Sequence, residues 1–179
     1  SMQPRSVPVW ATTAGRTVIY MVPEIALTPQ TIVRIRERIP YETAVFHSGL
    51  SPKTRAQEFL KAGSGRARFV LGTRSAIFAP VKDLGLIIVD EEHDGSYKQS
   101  DGVPYNARDL AIMRAKHNAA VVILGSATPS MDTFCRIERD NAALIPMQTR
   151  YGEAGLPTIT VIDMRSRKET LSAELVKTM

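Results

Sequence analysis

The run Leu86-Ile87-Ile88-Val89 leads directly into Asp90-Glu91-Glu92-His93, and this junction constrains the chain more than any other stretch. Four consecutive aliphatic residues, three of them β-branched, do not alternate with polar ones. The segment therefore reads as a strand covered on both faces, as in a parallel sheet. Gly85 is expected to break the preceding segment, so that the strand runs from Leu86 to Asp90. In open α/β sheets ligands bind beyond the carboxyl ends of the strands, which is where Asp90 and Glu91 fall.

Acids delivered to that rim by a buried strand suit a Walker-B-type role beside phosphates. Asp90 is expected to hold Mg²⁺, in part through water, and Glu91 to polarise a hydrolytic water. A strand ending in a solvated acidic turn is the simpler alternative. A metal-dependent hydrolase in which Asp90, Glu91, Glu92 and His93 all bind one catalytic ion is disfavoured, because alternate side chains of an extended segment face opposite ways.

The remaining chain alternates strands and helices. Strands are predicted at Thr17–Val22, Thr43–Phe46, Arg68–Gly72 and Ala120–Leu124. Helices are predicted from about Pro29 to Arg38, from Pro52 (capped by Ser51) to near Gly63, and from Asn106 as cap to about Lys116. Thr128-Pro129 is expected to open a further helix. Beyond it the pattern predicts strands near Ala143–Pro146 and Thr158–Ile162 and a last helix capped by Ser172. Gly95 to Tyr105 reads as a long irregular connection, and Met147 to Leu156 as an exposed loop. This order predicts an α/β fold with an open, mainly parallel sheet and helices on both faces. Residues 1–13 read as a tag remnant or unassigned segment, since Ser1-Met2 resembles a tag scar before an initiating methionine. Residues 14–179 read as one domain.

Composition bounds the partners. Of 179 residues, 44% are hydrophobic and 23% charged, and 23 Lys plus Arg against 18 Asp plus Glu give a formal +5. That excess suits a polyanion. No apolar run approaches the roughly 20 residues of a membrane helix, so a soluble, cytoplasmic protein is expected. The single Cys135 rules out a disulfide or a Cys-rich zinc site within this chain and reads as a small apolar helix residue.

Four segments follow strand ends and so share one rim. Val22-Pro23-Glu24-Ile25-Ala26-Leu27-Thr28-Pro29-Gln30 enters a helix whose first N–H groups, near Thr28 and Gln30, suit a phosphate; it is equally an ordinary capped helix start. Gly72-Thr73-Arg74-Ser75 sets a flexible glycine, hydroxyls and a guanidinium together for charge-assisted bonds to phosphate, or forms a surface turn. Gly125-Ser126-Ala127-Thr128 places small hydroxyls near the acids, or serves only to cap. Tyr97, Lys98, Gln99, Tyr105 and Arg108 interleave aromatics with cations, suited either to stacking on unpaired bases or to packing their own loop.

Together with His47-Ser48-Gly49-Leu50-Ser51, Gly72 to Pro80, Asp90 to Asp94 and Gly125 to Pro129, these stretches resemble the PriA family (primosomal protein N′) of superfamily 2 replication-restart DNA helicases. The resemblance runs in order from about Ala14 to the C-terminus. It implies part of the first RecA-like motor lobe, the ATP-binding domain 1 of a P-loop NTPase helicase. Asp90 and Glu91 would be the Mg²⁺-binding and water-activating acids of motif II. Glu92 and His93 would relay nucleotide state to Ser126, Ala127 and Thr128 of motif III. Pro23, Glu24 and Thr28 (motif Ia), Gly72 to Ser75 (motif Ib) and the aromatic-rich loop with Tyr97, Lys98, Gln99, Tyr105 and Arg108 would face single-stranded DNA. The family also implies ATP and Mg²⁺ as cofactors, forked DNA, other primosome proteins and single-strand-binding protein as partners, and zinc only in regions outside these residues.

Among the family elements that the 179 residues do not carry are the second motor lobe with its arginine finger, the cysteine-rich zinc region and the N-terminal DNA-binding domain; the one that bears on the acids is the Walker A sequence Gly-x-x-x-x-Gly-Lys-Ser/Thr. Ala14-Gly15-Arg16-Thr17 lacks its second glycine and its lysine and reads as a turn before a strand. If that loop supplies three charge-assisted bonds of roughly 2 kcal/mol each, its loss weakens nucleotide binding by about 6 kcal/mol, on the order of 10⁴-fold. The chain alone is therefore expected not to hydrolyse ATP. Losing the P-loop strand is also expected to expose a sheet edge, open to self-association or to pairing by Gln3 to Ala14. The alternative to a helicase part is a non-enzymatic DNA- or protein-binding module that retains the fold.

Overall fold

The computed structural model describes residues 15–139 and 142–147. Five strands form one parallel sheet: β1 (Thr17–Met21), β2 (Thr43–Phe46), β3 (Phe69–Gly72), β4 (Leu84–Val89) and β7 (Val121–Leu124). Their spatial order is β2-β3-β1-β4-β7, which puts β1 at the centre. Helices α1 (Pro29–Arg38), α2 (Pro52–Ser64), α3 (Ala107–His117) and α4 (Met131–Arg139) complete the main elements. The α/β fold and its open parallel sheet are as expected, and packing divides the chain into a unit ending at Ala142 and another beginning at Ala143.

Both faces of the sheet are covered. Ile19, Met21, Val70, Ile87 and Val89 pack on one side with Ala62 of α2 and Ala107, Ala111 and Ala115 of α3. Val18, Phe69, Leu71 and Leu86 pack on the other with Ile32 and Ile35 of α1. This two-sided burial explains why the strands read as continuous apolar runs. Helix starts follow local chemistry: the Thr28, Ser51 and Asn106 side chains accept from the N–H groups of Thr31, Thr54 and Arg108, each cap contributing about 1 kcal/mol.

The two sheet edges differ. At β2, the buried Glu58 of α2 accepts the Val45 N–H at 2.9 Å and an ion pair from Lys61 at 2.7 Å, so the outward donor is satisfied by a side chain. At β7, Val121 and Ile123 are exposed, and no strand lies beyond it among the described residues.

Several expectations change. Gly85 does not end a segment; it lies inside β4 at a bulge, where Thr17 pairs with Leu84 but Val18 pairs with Leu86. A Cβ there would collide with the Arg16 side chain, so glycine permits the close approach of the two strands. Gly95 to Tyr105 is less irregular than expected: a short 3-10 turn (Gly95–Tyr97) precedes an antiparallel ribbon of β5 (Lys98–Gln99) and β6 (Tyr105–Asn106). Strands of two residues carry no visible period. The last described helix begins at Met131 rather than after Thr128, because Ser130 supplies the cap by accepting the Thr133 N–H at 3.3 Å. Ala143–Pro146 forms no strand; an apolar tetrapeptide needs a ladder partner to become one. The segment 1–13, the strand at 158–162 and the helix from Ser172 lie outside the described residues.

Candidate functional site

Because all five strands are parallel, the loops after β1, β2, β3, β4 and β7 emerge at the same end of the sheet. Asp90 to His93 follow β4 as a turn, not as an extended continuation. The turn requires Glu91 in the left-handed region, at φ +45°, which is uncommon for a residue with a side chain. It turns Glu92 inward while Glu91 and His93 stay beside each other on the rim, so the four side chains do not converge on one ion.

Asp90 is fixed from below. The Tyr20 hydroxyl of β1 donates to one carboxylate oxygen at 2.8 Å, the Glu91 N–H donates to the other at 3.1 Å, and the Tyr97 hydroxyl holds the Asp90 carbonyl at 2.7 Å. Burial, with the Asp90 hydrogen bond and charge behind it, pushes the Tyr20 phenol far up, so it stays a neutral donor. Gly125, on the adjoining loop, has no side chain; a Cβ there would lie 3.6 Å from the first-named acid's Oδ1. A single carboxylate of this kind suits a Mg²⁺ ion whose remaining ligands are water and phosphate oxygens. Glu91 is exposed.

His93 meets the loop after β7. Its Nδ1 lies 2.7 Å from the Ser126 hydroxyl and its Nε2 lies 3.4 Å from that of Thr128, while Ser126 also accepts the Thr128 N–H at 3.0 Å. Glu91 is 3.6 Å from the same imidazole. Ala127 is exposed. Glu92 was expected in this relay, but it turns inward and is only 2% exposed. It accepts from the Ser130 N–H (2.6 Å), the Ser130 and Thr133 hydroxyls (3.1 and 2.7 Å) and Arg108 (3.1 Å). Burial alone would raise its pKa, yet these donors together hold the carboxyl below its ordinary range. Glu92 therefore staples the start of α4 to the acidic turn.

The expected DNA-facing residues divide in the same manner. Arg74, Ser75, Lys98, Glu24 and Thr28 reach solvent, and Gln99 and Tyr105 are half-buried. Arg74 donates to the Lys98 carbonyl at 2.6 Å, which ties the turn after β3 to the ribbon. Arg108 does not belong with them: it is 5% exposed and paired with Glu92, Asp109 and Asp132, so its charge is neutralised internally. Tyr97 is 1% exposed and packs its loop down rather than offering a ring for stacking. Pro23 and Thr73 are buried. Gly72 is not a flexible hinge but a contact point, where the Thr73 N–H bonds the Phe46 carbonyl at 2.9 Å and a Cβ would meet that carbonyl and, at 2.8 Å, the Ala76 methyl.

The DEAD/DEAH box helicase family profile matches residues 6–137. The chain belongs to that family. Its sheet accordingly has an α/β RecA-like fold, and the acidic turn after β4 lies within the matched residues. Among curated relatives, the helicase segment is 42% identical over 151 residues to replication restart protein PriA of Bacillus subtilis, covering 84% of this chain and 19% of that protein. It is 41% identical over 163 residues to PriA of Rickettsia felis (91% and 25%) and 45% identical over 161 residues to PriA of Chlamydia muridarum (89% and 21%). The chain thus spans about a fifth to a quarter of the length of the relatives it matches.

Sequence reasoning missed Tyr20, Ser130 and Thr133 as members of the site. A signal existed for the first: Tyr20 is the one residue with a polar tip well inside the apolar run Val18-Ile19-Tyr20-Met21-Val22. Ser130 and Thr133 are ordinary cap residues, and nothing local tells which carboxylate they serve.

Proposed function

We propose that the chain is part of the first motor lobe of a PriA-type replication-restart DNA helicase, acting in the bacterial cytoplasm on single-stranded and forked DNA. The observation that carries this reading is the meeting of the Asp90-Glu91 turn with His93, Ser126 and Thr128 at the carboxyl rim of the sheet. ATP and Mg²⁺, when bound, supply the phosphoanhydride and the cation that neutralises its charge. Asp90, oriented by Tyr20, would hold Mg²⁺; Glu91 would orient and polarise the attacking water. His93 reads the position of Glu91 against Ser126 and Thr128: it is hydrogen-bonded to the two hydroxyls and stands 3.6 Å from the hydrolytic acid. Primosome proteins and single-strand-binding protein are the partners that the family reading implies for the longer protein.

Without a Gly-Lys phosphate loop in its sequence, this segment by itself holds half of an ATP site. The purified chain is expected to show no DNA-stimulated ATP hydrolysis above background. A longer protein that adds a Walker A segment should hydrolyse ATP and lose at least 10²-fold in rate on Glu91→Gln, the scale of removing a catalytic acid-base group. Unchanged turnover in that variant would remove Glu91 from its assigned role.

A further inference from the structure

We propose that the cleft between α2 and the 3-10 turn after β3 (Arg74–Phe78) is a pocket for an unpaired base of single-stranded DNA. This rests on the DNA-facing reading of the Arg74 turn and extends it from backbone to base. The cleft has a volume of about 400 Å³, within the range of pre-formed ligand sites. The stretch His47–Leu50, which the helicase roles above leave unassigned, forms part of its wall.

Four aromatic rings line the cleft. Phe46, at the end of β2, is 6% exposed, whereas Phe59 of α2 and Phe78 are 49% and 56% exposed. Tyr105 of β6 supports Phe78 edge-on, at 5.2 Å between centroids and 79° between planes. Two phenyl rings left half in water on one concavity form an apolar surface that a flat ligand can cover.

The rim is cationic. Arg74 spends one guanidinium nitrogen on the Lys98 carbonyl, and Arg55 spends one on the Ser48 and Leu50 carbonyls at 3.3 and 3.5 Å. Each keeps further N–H donors for an anion, and Glu24 is the one acid in the lining. A free phosphate would use the guanidiniums and leave the rings bare; an apolar peptide anchor would use the rings and leave the guanidiniums unpaired. A polynucleotide strand brings both a π face and a phosphate to each residue of its length, and single-strand binders combine the same two elements.

The test compares two strands of equal length and charge on the wild-type chain at one low salt concentration. One is oligothymidylate and the other is its fully abasic phosphodiester counterpart, with binding followed by fluorescence anisotropy. Oligothymidylate is expected to bind about tenfold more tightly. Phe59→Ala should abolish that advantage while leaving the abasic strand's affinity unchanged, and Arg74→Ala should weaken both strands alike. Equal affinity of the two strands for the wild-type chain would overturn the base pocket while leaving the phosphate-facing reading standing. Failure of both strands to bind would overturn both. Loss of the two affinities together on Phe59→Ala, or retention of the full advantage, would also overturn the pocket.

Discussion

At the scale of single residues, Glu92 and Glu91 show two opposite uses of a carboxylate in adjacent positions. Taking Glu92 out of water costs several kcal/mol, and four donors from Arg108, Ser130 and Thr133 offset it. Removing the carboxylate leaves Arg108 buried without its closest charged partner, so Glu92→Ala should lower unfolding stability by about 3 kcal/mol, measured by urea denaturation. The folded pKa of Glu92 lies below its ordinary value, so the folded protein binds this proton less readily than the unfolded chain. Its contribution is then complete above the unfolded value of about 4.3 and is lost as pH falls through the lower folded value. Wild-type stability should fall on acidification through that window, and Glu92→Ala should flatten the decline. Asp94, held below its usual range by the Ser96 hydroxyl and N–H, adds to the same acid limb. Glu91 lies at φ +45°, a conformation costing an L-residue about 1–2 kcal/mol. Glu91→Gly should therefore raise the melting temperature while removing the hydrolytic acid from the longer protein. A lower melting temperature would show that the turn is held by the glutamate side chain instead.

Among the elements, the loop after β3 is the most tightly specified. Gly72 brings β2, β3 and the following 3-10 turn within backbone contact. Gly72→Ala overpacks that junction against a carbonyl that cannot swing away, and about 3 kcal/mol of stability should be lost, at the upper end for a single added methyl. A loss under about 0.5 kcal/mol would mean that the junction yields. Strands and helices were largely legible because each carries a complete local signal. Ala44–Phe46 is an unbroken apolar run, and Ser51, followed by Pro52, and Asn106 are cap residues in front of the helices they start. The acidic turn was legible in its residues and position but not in its directions: Glu92 and Arg108 are hydrophilic in any local reading, and only the fold brings them together 16 positions apart. The same holds for Tyr97, whose burial depends on the Asp90 carbonyl, and for the aromatic cleft, whose rings come from α2, β2, β6 and the turn after β3. Side-chain direction at a turn is set by partners remote in sequence, and no spacing records them.

For the whole molecule, the formal +5 and the position of Arg74 and Lys98 on the rim of the sheet predict weak, electrostatic binding of single-stranded DNA. With about three phosphate contacts, log Kobs should fall with log salt at a slope of roughly −2. Anisotropy titrations from low to moderate salt check this, and a flat dependence would exclude a phosphate-led interface. The sheet order β2-β3-β1-β4-β7 has a kinetic side. Central strand β1 pairs on one side with Phe69–Gly72 and on the other with Leu84–Val89, so this strand, once synthesised, waits for partners about fifty to seventy positions behind it. Such non-local parallel pairing is slow to form. Asp90, Ser126 and the turn after β3 come into register only when that wait is over, and a nascent chain arrested before β4 has neither a closed sheet nor any part of the acidic box.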